Sequence, residues 1–220
     1  MDDPGIDPRE HRRALDGLAR LNRVSMIERP IWREIRALHT GAPMRVLDIA
    51  AGSGDLVVAL ARRAARRNIP VRFTGADISE TACARIRENA DRAGVEIDAE
   101  TIDALDPAPA DTHDVVMCHL FVHHLPEDQI VRLLASMRDR ARRAVVITDL
   151  VRSRLGYALA LGASRTLTRS RVVHVDAPRS VRAALSPREL GGLARRAGLG
   201  DAGIRRVWPE RMMLTWRAPA

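Results

Sequence analysis

The run Val46-Leu47-Asp48-Ile49-Ala50-Ala51-Gly52-Ser53-Gly54 joins a buried-strand pattern to a turn of small residues, and a strongly helical pattern follows it. Apolar and β-branched residues around Asp48 suit a strand covered on both faces. Glycines in the turn let backbone N–H groups approach a ligand closely. The next acid at a strand end is Asp77, in Gly75-Ala76-Asp77, 23 residues beyond Gly54. Strand, glycine turn, helix, second strand and acid make a nucleoside-binding βαβ unit, with the acid placed for ribose hydroxyls.

The turn does not suit a dinucleotide. A GxGxxG loop beginning at Gly52 requires glycine at 57, where Val57 stands, and Asp55 lies where a pyrophosphate would be repelled. A nucleoside with a cationic end and no phosphate meets neither obstacle, and S-adenosylmethionine is such a compound. Val46 to Asp55, with Asp77, Asp103 and the strand Asp114-Val115-Val116-Met117-Cys118, resembles the class I S-adenosylmethionine-dependent methyltransferases. It is most similar to small-molecule enzymes of the quinone-biosynthesis type. The resemblance covers about residues 41–150, and the remainder only by layout. Ala50 departs from it, since the family often has glycine there.

The resemblance implies that Asp48, Ala50, Gly52 and Gly54 hold the methionine part of the cofactor, with Asp48 serving its ammonium and His119 close by. Asp77 accepts from the ribose hydroxyls, with Ile78 behind it. Asp103 accepts from the adenine amino group, beside Ala104 and Leu105. Other readings stand next to these: an ordinary tight turn at Gly52, a dipole-stabilising charge at Asp77, and competition for the adenine from Asp98 and Asp106.

After the fourth strand comes Cys118-His119-Leu120-Phe121-Val122-His123-His124-Leu125, which should face the transferred methyl group. His119, His123 or His124 could act as a general base, because imidazole titrates near working pH. The spacing of His119, His123 and Glu127 also permits a metal site, but no further spaced acids support one, and no metal is expected. The third reading is structural, with a histidine packed on the sheet or capping the helix after Pro126. Phe121, Tyr157 and His174 are the expected substrate-pocket residues. The segment lacks the Asn/Asp-Pro-Pro-aromatic run of amino-methyltransferases acting on nucleobases. Cys118 also lacks the Pro-Cys context of a pyrimidine-methylating nucleophile.

The chain has 220 residues, 46% of them apolar and 3% aromatic, enough for one domain and a cap built on aliphatic side chains. A net charge of +8 and a pI near 11.1 first suggest nucleic acid. All 36 basic residues are arginine, however, which reads as the codon bias of a GC-rich genome rather than selection for phosphate contacts. Many alternate with acids at helical spacing, as in Arg85, Arg87, Glu88, Asp91 and Arg92. The expected partner is therefore a small-molecule acceptor and not nucleic acid. Cys83 and Cys118 form no framework, the opening Met1-Asp2-Asp3-Pro4 does not resemble a signal peptide, and no run reaches the length of a membrane span. A cytoplasmic protein with reduced thiols is expected. The oligomeric state stays open, a dimer included.

The expected architecture is α/β: a Rossmann-like seven-stranded, mostly parallel sheet with helices on both faces, an antiparallel last strand and an N-terminal helical cap. Residues 1–40 would form the cap, after a frayed start over 1–8 and as two helices interrupted near Pro30. Residues 41–220 would form the catalytic domain. Within it the pattern gives strands at Arg45–Ile49, Val71–Ala76, Val95–Thr101, Thr112–Cys118 and Ala144–Leu150, and helices at Gly54–Arg67, Ser79–Ala93 and Pro126–Arg140. Residues 151–185, weakly periodic and holding seven arginines, read as a substrate-covering insertion. Ser186-Pro187-Arg188-Glu189 is a capping box that starts a helix, and two closing strands follow at Gly203–Val207 and Met212–Trp216. The expected reaction is methyl transfer to a hydroxyl oxygen of a phenolic, quinol or polyketide-like compound, with S-adenosylhomocysteine as by-product. The alternatives are methylation of a ring carbon, a nucleic-acid methyltransferase, and a non-catalytic S-adenosylmethionine-binding module.

Overall fold

A computed structural model describes residues 26–107, 110, 112–168 and 170–219. The frayed start expected over 1–8 and the first of the two expected N-terminal helices lie outside them. The chain order is α1 (Glu28–Leu38), β1 (Met44–Ile49), α2 (Asp55–Ala65), β2 (Val71–Asp77), α3 (Glu80–Ala93), β3 (Asp98–Thr101) and β4 (His113–His119). A 3-10 turn (Val122–His124) leads to α4 (Glu127–Arg140), β5 (Ala141–Leu150), α5 (Arg154–Leu167), α6 (Arg171–Ala183), α7 (Pro187–Arg196), β6 (Gly203–Val207) and β7 (Arg211–Arg217).

The seven strands form one sheet in the order β3-β2-β1-β4-β5-β7-β6. β1 pairs in parallel with both β2 and β4, so the connections diverge on either side of it. That is the switch point at which open α/β sheets hold ligands, beyond the C-terminal strand ends. β5 pairs antiparallel with β7, and β7 antiparallel with β6, so the seven-stranded sheet and its antiparallel close are as expected.

Alternate strand residues feed two cores, because successive side chains point to opposite faces. Leu47, Val116, Val145, Ile147 and Leu214 meet α4 and α7 through Ile130, Leu133, Leu134 and Leu190. Val46, Val115, Met117, Val146 and Met213 meet α1 and α2 through Ile31, Trp32, Ile35, Val57 and Leu60. Central strands covered on both faces explain the continuous apolar runs of the sequence.

Pro30 is the third residue of α1, just after the helix start, where its missing N–H has no intrahelical acceptor to lose. β3 begins at Asp98, not Val95. Gly94, at φ 65°, ends α3, and the Val95 N–H donates to the Ala90 carbonyl, so the chain is still leaving the helix there. Residues 151–185, weakly periodic in sequence, form the helix pair α5 and α6. Their periodicity was weak because Leu155 and Leu159 are exposed while Gly156, Ser164 and Val181 are buried. Ser153 caps α5, its Oγ accepting from the Gly156 N–H at 2.8 Å. Among the described residues no helix is long and apolar enough to cross a membrane.

Candidate functional site

The turn after β1 holds three residues in left-handed backbone: Ala50 at φ 55°, Gly52 at 56° and Gly54 at 76°. Glycine is required most plainly at Gly54, where a Cβ would lie 3.0 Å from Ile86 Cγ1. At Gly52 the same Cβ would meet open space. The turn is fixed by backbone bonds from Ala51 to Ala76 and from Gly54 to Ala51, and by Asn89 Nδ2 donating to the Ser53 carbonyl. The Asp77 carboxylate accepts from the Gly52 N–H at 2.9 Å and from the Ser79 N–H at 3.0 Å. The acid at the end of β2 thus ties the glycine turn to the start of α3.

Asp48 is 2% exposed, and its Oδ1 has no hydrogen-bond partner. Burial, with the Asp77 charge nearby, pushes its carboxyl up to about 8.

The segment after β4 is held by the end of β5. His119 Nδ1 lies 2.6 Å from Thr148 Oγ1, and its Nε2 lies 3.4 Å from Arg211 NH1. A guanidinium only donates, so Nε2 is the acceptor and Nδ1 carries the proton given to Thr148. Burial, and then the Arg211 charge, hold the His119 imidazole well below the usual range. His123 is bound twice by Asp149: its backbone N–H donates to Oδ2 at 3.0 Å, and Nδ1 lies 2.6 Å from Oδ1. With a carboxylate at Nδ1, the proton sits there and Nε2 carries the lone pair. The His124 ring lies against that of His123, with centroids 4.1 Å apart.

Asp48, Ala50 and Gly52 line one cavity of ≈ 1210 Å³ together with His119, His123 and His124. Gly156, Leu159 and Ala160 of α5, Ser180 and Val181 of α6, and Arg211 of β7 form further parts of its wall. The other expected site residues stand outside this wall. Gly54 packs on Ile86. Asp77 holds the turn, Ile78 is 68% exposed beside it, and Asp103 Oδ1 accepts from the Leu105 N–H at 2.8 Å. Ala104 is buried, and Phe121 packs on the first core. Tyr157 lies under the Arg182 guanidinium, 4.9 Å from the ring centroid, and His174 Nε2 donates to the Thr168 carbonyl at 2.9 Å. Arg152, from the same arginine-rich stretch as Arg182, is paired with Glu189. Cys118 is buried, and its thiol is pushed well above the usual range, which suits packing rather than nucleophilic chemistry.

Sequence reasoning missed Thr148, Asp149 and Arg211. A signal existed for the first two: they follow the apolar run Ala144–Ile147, at a strand end like every other candidate. None existed for Arg211, which is set beside Leu150 only by the antiparallel register of β5 and β7.

Residues 46–144 match the family described as a methyltransferase domain. No curated protein gives a significant match to the sequence. Among solved structures, the chain is similar to the S-adenosylmethionine-dependent methyltransferase SibL in its apo form, with TM-score 0.69 and 21% identity over 99% of this chain and 60% of that one. A Nostoc punctiforme protein described as an O-methyltransferase gives TM-score 0.65 at 18% identity, over 88% of this chain and 56% of the other. The magnesium protoporphyrin IX methyltransferase of Synechocystis, crystallised with S-adenosylhomocysteine, gives 0.62 at 15% identity over 99% and 90%. The chain spans less than two thirds of the length of the first two, and at these identities the likeness establishes the fold.

Proposed function

We propose, for a chain whose residues 46–144 match the methyltransferase-domain family, that it transfers a methyl group from S-adenosylmethionine to a hydroxyl oxygen of a small phenolic, quinol or polyketide-like acceptor. The observation that carries this reading is the Asp48 carboxyl, buried in the cavity wall with one oxygen unpartnered. A buried polar atom in that state is costly until a ligand satisfies it. The ammonium of the methionine moiety brings the matching charge and donors. The open space over Gly52 admits that moiety to the backbone, and Asp55 at the same turn disfavours a pyrophosphate. The residues present therefore fit the cofactor.

Each Asp77 oxygen accepts one N–H in the structure and keeps a lone pair for a ribose hydroxyl. Ile78 and Ala104 are assigned to the adenine faces and Asp103 to its amino group. When bound, the cofactor supplies an electrophilic methyl on a sulfonium. His123 takes the acceptor proton on Nε2, while Asp149 holds Nδ1–H and steadies the charge that develops. His119 is neutral, engaged at both nitrogens, and shapes the wall. Most of the acceleration comes from positioning the acceptor and excluding water between α5, α6 and the strand ends. Proton removal adds a factor of about 10²–10⁴.

The test is a thermal-shift and calorimetric screen with S-adenosylmethionine, S-adenosylhomocysteine and NAD. The first two should bind and NAD should not, and Asp77→Ala should remove most of the shift. NAD binding without the methyl donor would overturn the reading. With an acceptor in hand, His123→Ala should lower kcat by about 10²–10⁴ at saturating cofactor. An unchanged kcat would remove His123 as the base, and cofactor binding without turnover on any acceptor would leave a binding module.

A further inference from the structure

Arg211 is 6% exposed, in the wall of the same cavity, with NH1 3.4 Å from His119 Nε2. It is the first residue of β7 and pairs with Leu150, so its side chain belongs to a rigid strand beside the Asp149 that holds His123. A buried cation on a fixed element is costly to maintain; the Asp149 charge offsets part of that cost, and the guanidinium lies in the wall that an acceptor beside His123 would meet.

Gly156, Leu159, Ala160 and Ala163 line the same cavity from α5, and Ala177, Ser180 and Val181 from α6. Arg179 and Asp176 both line the cavity from α6, and Glu210 lines it next to Arg211. A guanidinium has five N–H donors in a planar fork, so it can hold protein partners and still meet a carboxylate.

We infer that the acceptor is an organic anion, a hydroxy acid whose carboxylate docks on Arg211 while its hydroxyl reaches His123, so that Arg211 sets specificity for charged over neutral acceptors. This rests on the proposed methyl transfer, because it uses the cavity left beside the bound cofactor. The charge of the acceptor follows from Arg211, and its hydroxyl from His123 in the same wall. The cofactor's own carboxylate is the competing partner for Arg211, and the experiment separates the two.

The wild-type protein saturated with S-adenosylhomocysteine is titrated with salicylate and hydroxynaphthoate and with their carboxamides, which match them in size and lack the charge. At least one acid should bind about tenfold or more tighter than its amide, the scale of one charge-assisted hydrogen-bond pair. Arg211→Gln should bring the ratio to about one, and Arg211→Lys should keep part of it. The wild-type ratio needs no variant, so a misfolded Arg211→Gln does not rescue the idea. Equal binding of acid and amide overturns it, as does binding of amides alone, or no binding of any acid at millimolar concentration. An acid preference that survives in Arg211→Gln, with a fall in S-adenosylhomocysteine affinity, assigns Arg211 to the cofactor and also overturns it. If S-adenosylhomocysteine itself fails to bind the wild-type protein, it is the proposed methyl transfer that fails.

Discussion

Asp48 carries the strongest residue-scale consequence. Its carboxyl is pushed up to about 8 by burial and then by Asp77, so in the empty cavity it holds a proton at neutral pH. A cationic ammonium arriving beside it favours the carboxylate. Binding of S-adenosylmethionine at neutral pH is therefore expected to release up to about one proton. Calorimetry in buffers of different ionisation enthalpy reads this directly, and a buffer-independent enthalpy would mean that the ammonium does not meet Asp48. The same shift has a stability sign. An acid whose folded value lies above its ordinary 3.8 binds more protons folded than unfolded, so its contribution declines as pH rises from about 4 to about 8. Asp48→Asn should flatten that decline and weaken cofactor binding together. The sequence made Asp48 a candidate by its place at a strand end. That one oxygen would be orphaned was not readable from it, because the neighbours that could have bonded it come from other strands.

Among the elements, the turn after β1 and the pair α5–α6 behave oppositely. The turn is local chemistry. Ala50 adopts φ 55°, a conformation that costs a residue with a Cβ about 1 kcal/mol or more. Ala50→Gly is expected to stabilise the protein by about 0.5–1 kcal/mol after glycine's extra unfolded-state entropy is subtracted. Gly54→Ala should do the reverse and cost about 1–2 kcal/mol or more, since it adds left-handed strain and a contact with Ile86 at 3.0 Å. Urea unfolding of the two variants checks the pair, and equal signs would contradict the backbone assignment. The helix pair depends on context instead. α5 has its cap serine in the sequence, but Ser153 Oγ is also hydrogen-bonded to Glu210 Oε2 at 2.6 Å, across 57 residues. The Val151 N–H donates to the Glu210 carbonyl at the same junction. These bonds dock the start of α5 on the β6–β7 hairpin, which no local pattern of residues 151–185 could announce.

For the molecule as a whole, two cores on opposite faces of one sheet leave the strand ends as the place where polar groups gather. His113, at the start of β4, shows how acid acts on that arrangement. Burial, then Arg45 and Arg140, bring its imidazole down to about 4, and its Nε2 has no partner. A histidine lowered in the folded state stays neutral there while the unfolded chain takes up protons. Its contribution is complete above the ordinary 6.5 and is lost as pH falls from there to about 4. The difference in urea midpoint between the wild-type protein and His113→Gln should fall as pH drops across that interval, the variant's own slope lacking this contribution. An unchanged slope would show that other groups govern acid unfolding. Asp48 acts with the opposite sign at overlapping pH, so the two variants should tilt the stability profile in opposite directions.

The order of strands and helices from β1 to α4 was written in the chain, because it rests on apolar runs, glycine turns and helix caps, which act between near neighbours. The same holds for Ser79 capping α3, for the Ser186 capping box, and for Asp77 standing where β2 ends. The choice among three histidines was not written there. His119 and His123 differ by what β5 and β7 bring to them, Thr148 and Arg211 for one and Asp149 for the other. Those contacts span from 26 to 92 residues of chain. Side-chain type and spacing select which residues stand at the strand ends, whereas sheet register and burial decide which of them touch, which carries the proton and which is left without a partner.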